Sequence, residues 1–157
     1  MNYSDYINCD TLNGEGVRCT LFVSGCSRGC KGCFNKETWD YRYGTKYTRG
    51  FENKIIKDLE NPYIQGLSIL GGNPLENKNF ETVLKLCQRV KKELPEKDIW
   101  LWCGQTLGEV KNNLIFSQIL GIVDVVVDGP FVEELKDTKL KFRGSSNQNI
   151  NVKGVDF

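Results

Sequence analysis

Apolar positions recur along the chain in two rhythms, a short unbroken one and a helical one. "CTLFVSG" (Cys19 to Gly25) is a continuous β-branched and aromatic run ending in glycine, which predicts a strand buried on both faces. "FENKIIKDLEN" then sets Phe51, Ile55, Ile56 and Leu59 on one helical face and stops before Pro62. "GLSIL" predicts a second strand running into Gly71 and Gly72. The longest helical signal is "NKNFETVLKLCQRVKKEL", with Phe80, Val83, Leu84, Cys87, Val90 and Leu94 at a 3.6-residue period ahead of Pro95. "DIWLWCG" predicts a third strand. Weaker helical patterns follow in "TLGEVKNN" and "FSQIL", and "VDVVVDGP" predicts a fourth strand closed by an Asp-Gly-Pro turn at Asp128.

Strands that alternate with helices imply an α/β fold with a parallel sheet and right-handed crossovers. A complete eightfold barrel needs about 250 residues. The 157 residues of this chain therefore predict one domain, 1–157, built as an incomplete TIM-like barrel of about four or five βα units or as an open sheet. In either case the carboxyl ends of the strands share an edge. The segment after strand one, "GGNP", "CG" and "DGP" all fall there, where such folds place ligands.

Charge adds little: 21 Lys plus Arg against 20 Asp plus Glu give +1, with no long-range pull toward nucleic acid or an acidic membrane. The first residues carry no apolar leader pattern, and no run approaches the ~20 apolar residues that span a bilayer, which predicts a cytoplasmic protein. Seven cysteines in such a compartment are expected as free thiols or metal ligands, not as a disulfide framework. Histidine is absent, which removes Cys/His zinc sites, histidine general bases and Ser-His or Cys-His nucleophile pairs together.

"GCSRGCKGCFN" places Cys26, Cys30 and Cys33 as CxxxCxxC in one tight loop. A structural zinc site would need a fourth thiolate from Cys9, Cys19 or Cys103, and such sites favour paired C-x(2 to 4)-C units. Electron-carrying clusters supply four thiolates. Three would leave one iron of a cubane cluster open to a substrate or cofactor, as catalytic metal sites keep a position free. Cys87, on the apolar helix face, and Cys19, in a buried strand, read as small hydrophobes. Cys9 and Cys103 are less defined, and Cys103 lies on the functional edge. "LGGNPL" leaves a buried strand through two glycines that permit unusual φ and close backbone approach. An ordinary turn would do the same; opposite an open iron it offers carbonyls and the Asn73 side chain to a cationic amine.

Together these motifs resemble the radical S-adenosylmethionine superfamily. "GVRCTLFVSGC", "GCFNKETW", "GGNPL", "DGPF" and "FRGSSNQ", in that order from about Asn13 to Gln148, are similar to the family that activates anaerobic ribonucleoside-triphosphate reductase. The resemblance implies a [4Fe-4S] cluster on Cys26, Cys30 and Cys33, with S-adenosyl-L-methionine on the open iron. It implies reductive cleavage to methionine and a 5′-deoxyadenosyl radical, which generates a glycyl radical on the large reductase subunit. An external one-electron donor such as a flavodoxin would supply the electron. Gly71, Gly72 and Asn73 would receive the methionyl ammonium. Related sequences usually carry an acid where this one has Asn73. The aromatic that often precedes the last cysteine is Gly32 here, with Phe34 just after it, and these two complete the implied cofactor contacts. No catalytic residue beyond cluster and cofactor is implied.

"WDYRYGTKYTR" reads as a cover over the cluster, a docking surface or plain packing. "FRGSSNQ" is a polar loop whose chemistry its composition does not disclose. Two other classes remain open at this level: a small radical enzyme acting on a small molecule, of the deazaguanine synthase type, and a non-enzymatic zinc or electron-transfer module.

Overall fold

The computed structural model describes residues 1–157. Its seven strands are β1 (Asn2–Asp10), β2 (Arg18–Val23), β3 (Thr45–Lys46), β4 (Gly66–Gly71), β5 (Asp98–Trp102), β6 (Val125–Asp128) and β7 (Asn149–Val152). Three α-helices, α1 (Arg49–Leu59), α2 (Asn77–Glu93) and α3 (Leu107–Asn112), connect β3, β4, β5 and β6 in turn, and short 3-10 turns occupy Lys36–Trp39, Phe116–Gly121 and Glu133–Leu135. The order across the sheet is β3-β1-β2-β4-β5-β6-β7, so the sheet is open.

The four strands expected from the apolar runs form the parallel centre, β2-β4-β5-β6. The expectation of a parallel sheet is corrected at both margins, where β1, β3 and β7 run antiparallel. β1 escapes a period-two reading because its pairing with β2 shifts register between Tyr3 and Asp5 and again between Ile7 and Asp10. "NINV" in β7 alternates two β-branched residues with two strand-disfavouring asparagines, too short a pattern to define a strand by itself. Partners outside it hold it: Asn149 N–H donates to Asp128 Oδ1 at 3.1 Å, and Asn151 Nδ2 donates to the Val126 carbonyl at 3.2 Å.

Helix ends follow local chemistry. Thr48 caps α1 by accepting from Phe51 N–H at 3.1 Å, three residues before the apolar periodicity begins. "TLGE" closes a capping box on α3, with Thr106 and Glu109 exchanging backbone bonds, which explains how a six-residue helix of weak pattern forms. "FSQIL" becomes a 3-10 turn instead of an α-helix.

Strand residues Cys19, Leu21, Val23, Leu67, Ile69, Ile99, Leu101 and Val126 meet Ile55, Leu59, Phe80, Val83, Leu86, Cys87, Val90 and Val110 of the helices in one core of 23 buried residues. The opposite face is different. There Trp100, Val125 and Val127 form a small cluster with Trp102, Phe142 and Ile150, and the fully buried Arg18, Thr20 and Ser68 lie beside it. Arg18 donates from Nε to Ser68 Oγ at 2.7 Å and from Nη2 to the Leu67 carbonyl at 3.0 Å, pairs with Asp98, and lies 5.5 Å from the Trp100 ring centre. No helix is long and apolar enough to cross a membrane.

Removing the Arg18 side chain leaves Ser68, Leu67 and Asp98 without their donor inside the sheet. Arg18→Ala is expected to lower unfolding free energy by about 3 kcal/mol, the low end for a broken buried pair because Asp98 keeps some solvent contact. Urea unfolding of the variant beside wild type measures it; a change below about 0.5 kcal/mol would show that Arg18 is not structural.

Candidate active site at the carboxyl edge of the parallel strands

Both motifs on this edge begin where a strand ends, and they are joined through backbone. Beyond β4, Gly72 N–H donates to the Val23 carbonyl at 2.7 Å and Asn73 N–H to the Gly25 carbonyl at 2.8 Å. The chains run so close that a Cβ on Gly72 would stand 2.6 Å from the Gly25 oxygen, and one on Gly71, at φ 111°, would stand 2.5 Å from the Val23 oxygen. The two glycines are thus required by backbone packing between the two exits. On its other side the cysteine loop is tied to the 3-10 turn: Gly25 and Cys26 N–H groups donate to the carbonyls of Thr38 and Trp39 at 2.7 and 3.3 Å.

Glu76, a residue the sequence patterns did not single out, holds this junction from behind. It is buried, and its carboxylate accepts from Ser27 N–H (2.9 Å), Ser27 Oγ (3.0 Å), Tyr41 Oη (2.8 Å) and Asn73 Nδ2 (3.4 Å). One carboxylate therefore fastens the cysteine loop, the glycine turn and the aromatic segment to each other. Tyr41 lies against Gly25, and burial together with the Glu76 carboxylate pushes its hydroxyl up to about 12. The only advance signal for Glu76 was its position just ahead of α2, two residues past "GGNP".

A cavity of about 390 Å³ opens on this edge. Cys26, Cys30, Cys33 and Phe34 line it from the cysteine loop, Gly71, Gly72 and Asn73 from the turn, Trp102 and Cys103 from the end of β5, and Phe131, Phe142 and Arg143 from beyond β6. Among the expected site residues only Gly32 is not on this wall; it lies at φ 78° beneath the Glu133 side chain. Trp39 also lines the cavity, so "WDYRYGTKYTR" contributes one wall residue and, through Tyr41, one brace. Phe34 is 98% exposed, a ring that packs on nothing in the chain.

Asn73 lines the cavity, yet its side chain is only 1% exposed and fully engaged. Its Oδ1 accepts from Leu75 N–H (3.2 Å) and Gly104 N–H (3.4 Å), and its Nδ2 also donates to Gln105 Oε1 (3.1 Å). The free acceptor here is instead backbone: the Gly72 carbonyl receives no hydrogen bond from the protein.

The three thiols face one cavity without converging at metal-ligand spacing. Burial pushes the Cys26 thiol above its ordinary value, and the negative fields of Glu76, Cys30 and Cys33 add to the shift. Three soft sulfur donors on one loop, with no histidine in the chain, suit an iron–sulfur cluster and not a hard cation. Cys103 stays outside that set. Burial pushes its thiol up to about 12, with Asp128 contributing, and its Sγ lies 3.4 Å from the Gln105 carbonyl. Cys87 is buried in the helix-facing core and likewise raised to about 12 by burial, and Cys19 is buried in β2; Cys9 is exposed. Asp128 serves the turn: its Oδ2 accepts from Leu107 N–H at 2.6 Å, where α3 begins.

An open α/β sheet carrying three loop cysteines on a cavity at its carboxyl edge defines a single-cluster iron–sulfur protein, and residues 12–151 match the family model for the 4Fe-4S single cluster domain. Relatives narrow the class. The chain is 50% identical over 153 residues to the anaerobic ribonucleoside-triphosphate reductase-activating protein of Vibrio cholerae, covering 96% of this chain and 97% of that protein. Proteins of the same name from Escherichia coli and Pasteurella multocida are 48% and 45% identical, each over 96% of this chain and over 98% and 96% of their own lengths. The chain belongs to the family of anaerobic ribonucleoside-triphosphate reductase-activating proteins.

Two measurements check the site as described. Glu76→Ala strands the Ser27 and Tyr41 donors, and is expected to cost about 2 kcal/mol of stability and to speed hydrogen exchange at the Ser27 amide. Unchanged exchange there would refute the junction. Under native conditions at pH 8, iodoacetamide is expected to label Cys9 well ahead of Cys87 and Cys103, whose thiols lie far below half ionisation. Peptide mass spectrometry reads the order, and early labelling of Cys103 would contradict its burial.

Proposed function

We propose that this chain activates anaerobic ribonucleoside-triphosphate reductase, and that Cys26, Cys30 and Cys33 hold the [4Fe-4S] cluster on which the activity depends. The observation that carries the reading is the meeting of these three thiols with the Gly71–Gly72 turn on one cavity, in a chain of this family. When bound, the cluster and S-adenosyl-L-methionine supply one-electron cleavage to methionine and a 5′-deoxyadenosyl radical, which takes a hydrogen atom from a glycine of the large reductase subunit. Everything else falls to the protein's own residues. The Gly71 and Gly72 carbonyls receive the methionyl ammonium, and Asn73 shapes the turn that aims them. Phe34 borders the adenosine, and Gly32, off the cavity wall beneath Glu133, shapes the loop that presents it. Trp39, Trp102 and Phe131 keep water from the reacting atoms. The absence of histidine costs nothing, because no general base is needed.

Several finer readings belong to this proposal. The open sheet is taken as an incomplete TIM-like barrel in one domain spanning 1–157, since its four parallel strands present all their ligand loops at one edge. A one-electron donor of the flavodoxin kind reduces the cluster, and the protein works in the cytoplasm, with no membrane or nucleic-acid partner.

Cys26→Ala, Cys30→Ala and Cys33→Ala are each expected to lose cluster iron and all activation of the reductase, while Cys87→Ala keeps both. Iron and sulfide analysis with electron paramagnetic resonance on anaerobically reconstituted, reduced protein provides the test. Wild type should show a cluster signal that changes when S-adenosyl-L-methionine is added; a fully active loop variant, or a signal indifferent to the cofactor, would refute the assignment.

A further inference from the structure

The segment "FRGSSNQ" contributes Phe142, Arg143, Gly144 and Gln148 to the cavity wall beyond β6, beside Gly129, Pro130 and Phe131. Its loop is held tightly. Gln148 Oε1 accepts from Gly144 N–H (2.8 Å) and Ser145 N–H (3.2 Å), while Gln148 Nε2 donates to the Gly129 carbonyl (3.0 Å) and Asn147 Nδ2 to the Pro130 carbonyl (2.8 Å). Phe142, at φ 61°, is the one non-glycine residue of the chain in the left-handed region. Trp102 Nε1 donates to its carbonyl at 2.7 Å, and its ring meets Trp100 edge-on at 5.3 Å. Such backbone strain persists only where surrounding contacts over-determine it, and here it sets the direction of the next residue, Arg143.

Arg143 is half-held. Its Nη1 donates to the Gln148 carbonyl at 3.0 Å, whereas its Nε is buried with no partner and Nη2 takes no protein acceptor. The unmade edge, Nε with Nη2, is the fork that grips a carboxylate through two parallel hydrogen bonds. Arg28 and Arg143 are the only charged side chains lining the cavity, and neither is in an ion pair with the protein. Arg28 comes from the cysteine loop itself, with its Cδ and Nε packed over Gly104 and its charge beside Cys103. Arg143 approaches from the loop beyond β6.

We propose that Arg143 is the carboxylate receptor of this cavity: its Nε–Nη2 edge takes the α-carboxylate of the methionyl group whose ammonium meets the Gly71–Gly72 carbonyls. The inference rests on the functional reading above and adds the residue that recognises the ligand's amino-acid end as a zwitterion. It makes Arg143 a binding residue that selects for the carboxylate and leaves the cluster ligands unchanged.

The test compares two ligands on anaerobically reconstituted protein without the reductase, so that no carboxylate of the partner is present. Equilibrium dialysis measures binding of S-adenosyl-L-methionine and of its decarboxylated analogue, per cluster determined by iron analysis, for wild type, Arg143→Gln, Arg143→Lys and Arg28→Gln. Arg143→Gln is expected to weaken the carboxylate-bearing ligand about 10- to 100-fold and the analogue less than about threefold, and Arg143→Lys to recover part of the loss. Equal losses for both ligands, no loss for either, or a selective loss in Arg28→Gln instead would overturn the proposal. Wild type with a full cluster that binds neither ligand would instead overturn the functional reading and this inference with it.

Discussion

The structure depends most on a close contact between two stretches of backbone. Where β2 and β4 end, the chain does not separate into independent loops; the ladder continues for two more hydrogen bonds, Gly72 to Val23 and Asn73 to Gly25. Only hydrogen side chains fit at Gly71 and Gly72 across that contact. The start of the cysteine loop is therefore in fixed register with the glycine turn. Groups that must act on one ligand are placed relative to each other by sheet geometry, the most rigid device a fold of this class offers.

Around that contact the charges are arranged in layers. Glu76 lies behind the junction, buried and satisfied entirely by neutral donors, and its negative field reaches Cys26. Arg28 and Arg143 face the cavity. The two cations therefore line the cavity itself, while the buried carboxylate of the junction stands behind it. On the far side of the sheet from the helices, the Arg18 network fills space that apolar side chains occupy elsewhere. One face of the sheet is thus a conventional apolar core, and the other is polar, aromatic and open toward the site.

The strained Phe142 and the hydrogen-bonded loop that follows it extend the same logic to the end of the chain. A polar loop of this kind would ordinarily be mobile. Here two tryptophans and the Gln148 amide immobilise it, so that residues far from the cysteines in sequence become part of their cavity.

Sequence alone determined the parallel centre of the sheet, the two long helices, the cysteine loop and the gathering of that loop, "GGNP", "CG" and "DGP" at one edge. Those features rest on local causes: apolar periodicity, capping and proline stops, and the rule that parallel strands of one sheet end on the same side. Tertiary structure decided the rest. β1 and β7 exist because neighbours pair with them, although register shifts and asparagines hide their pattern. Asn73, in sequence a ligand for an amine, is in space a brace between Leu75 and Gly104. Glu76 and Arg143 gain their meaning only from what stands beside them, since a carboxylate just ahead of a helix and an arginine in a polar loop are commonplace until burial, and the count of satisfied and unsatisfied hydrogen bonds, single them out.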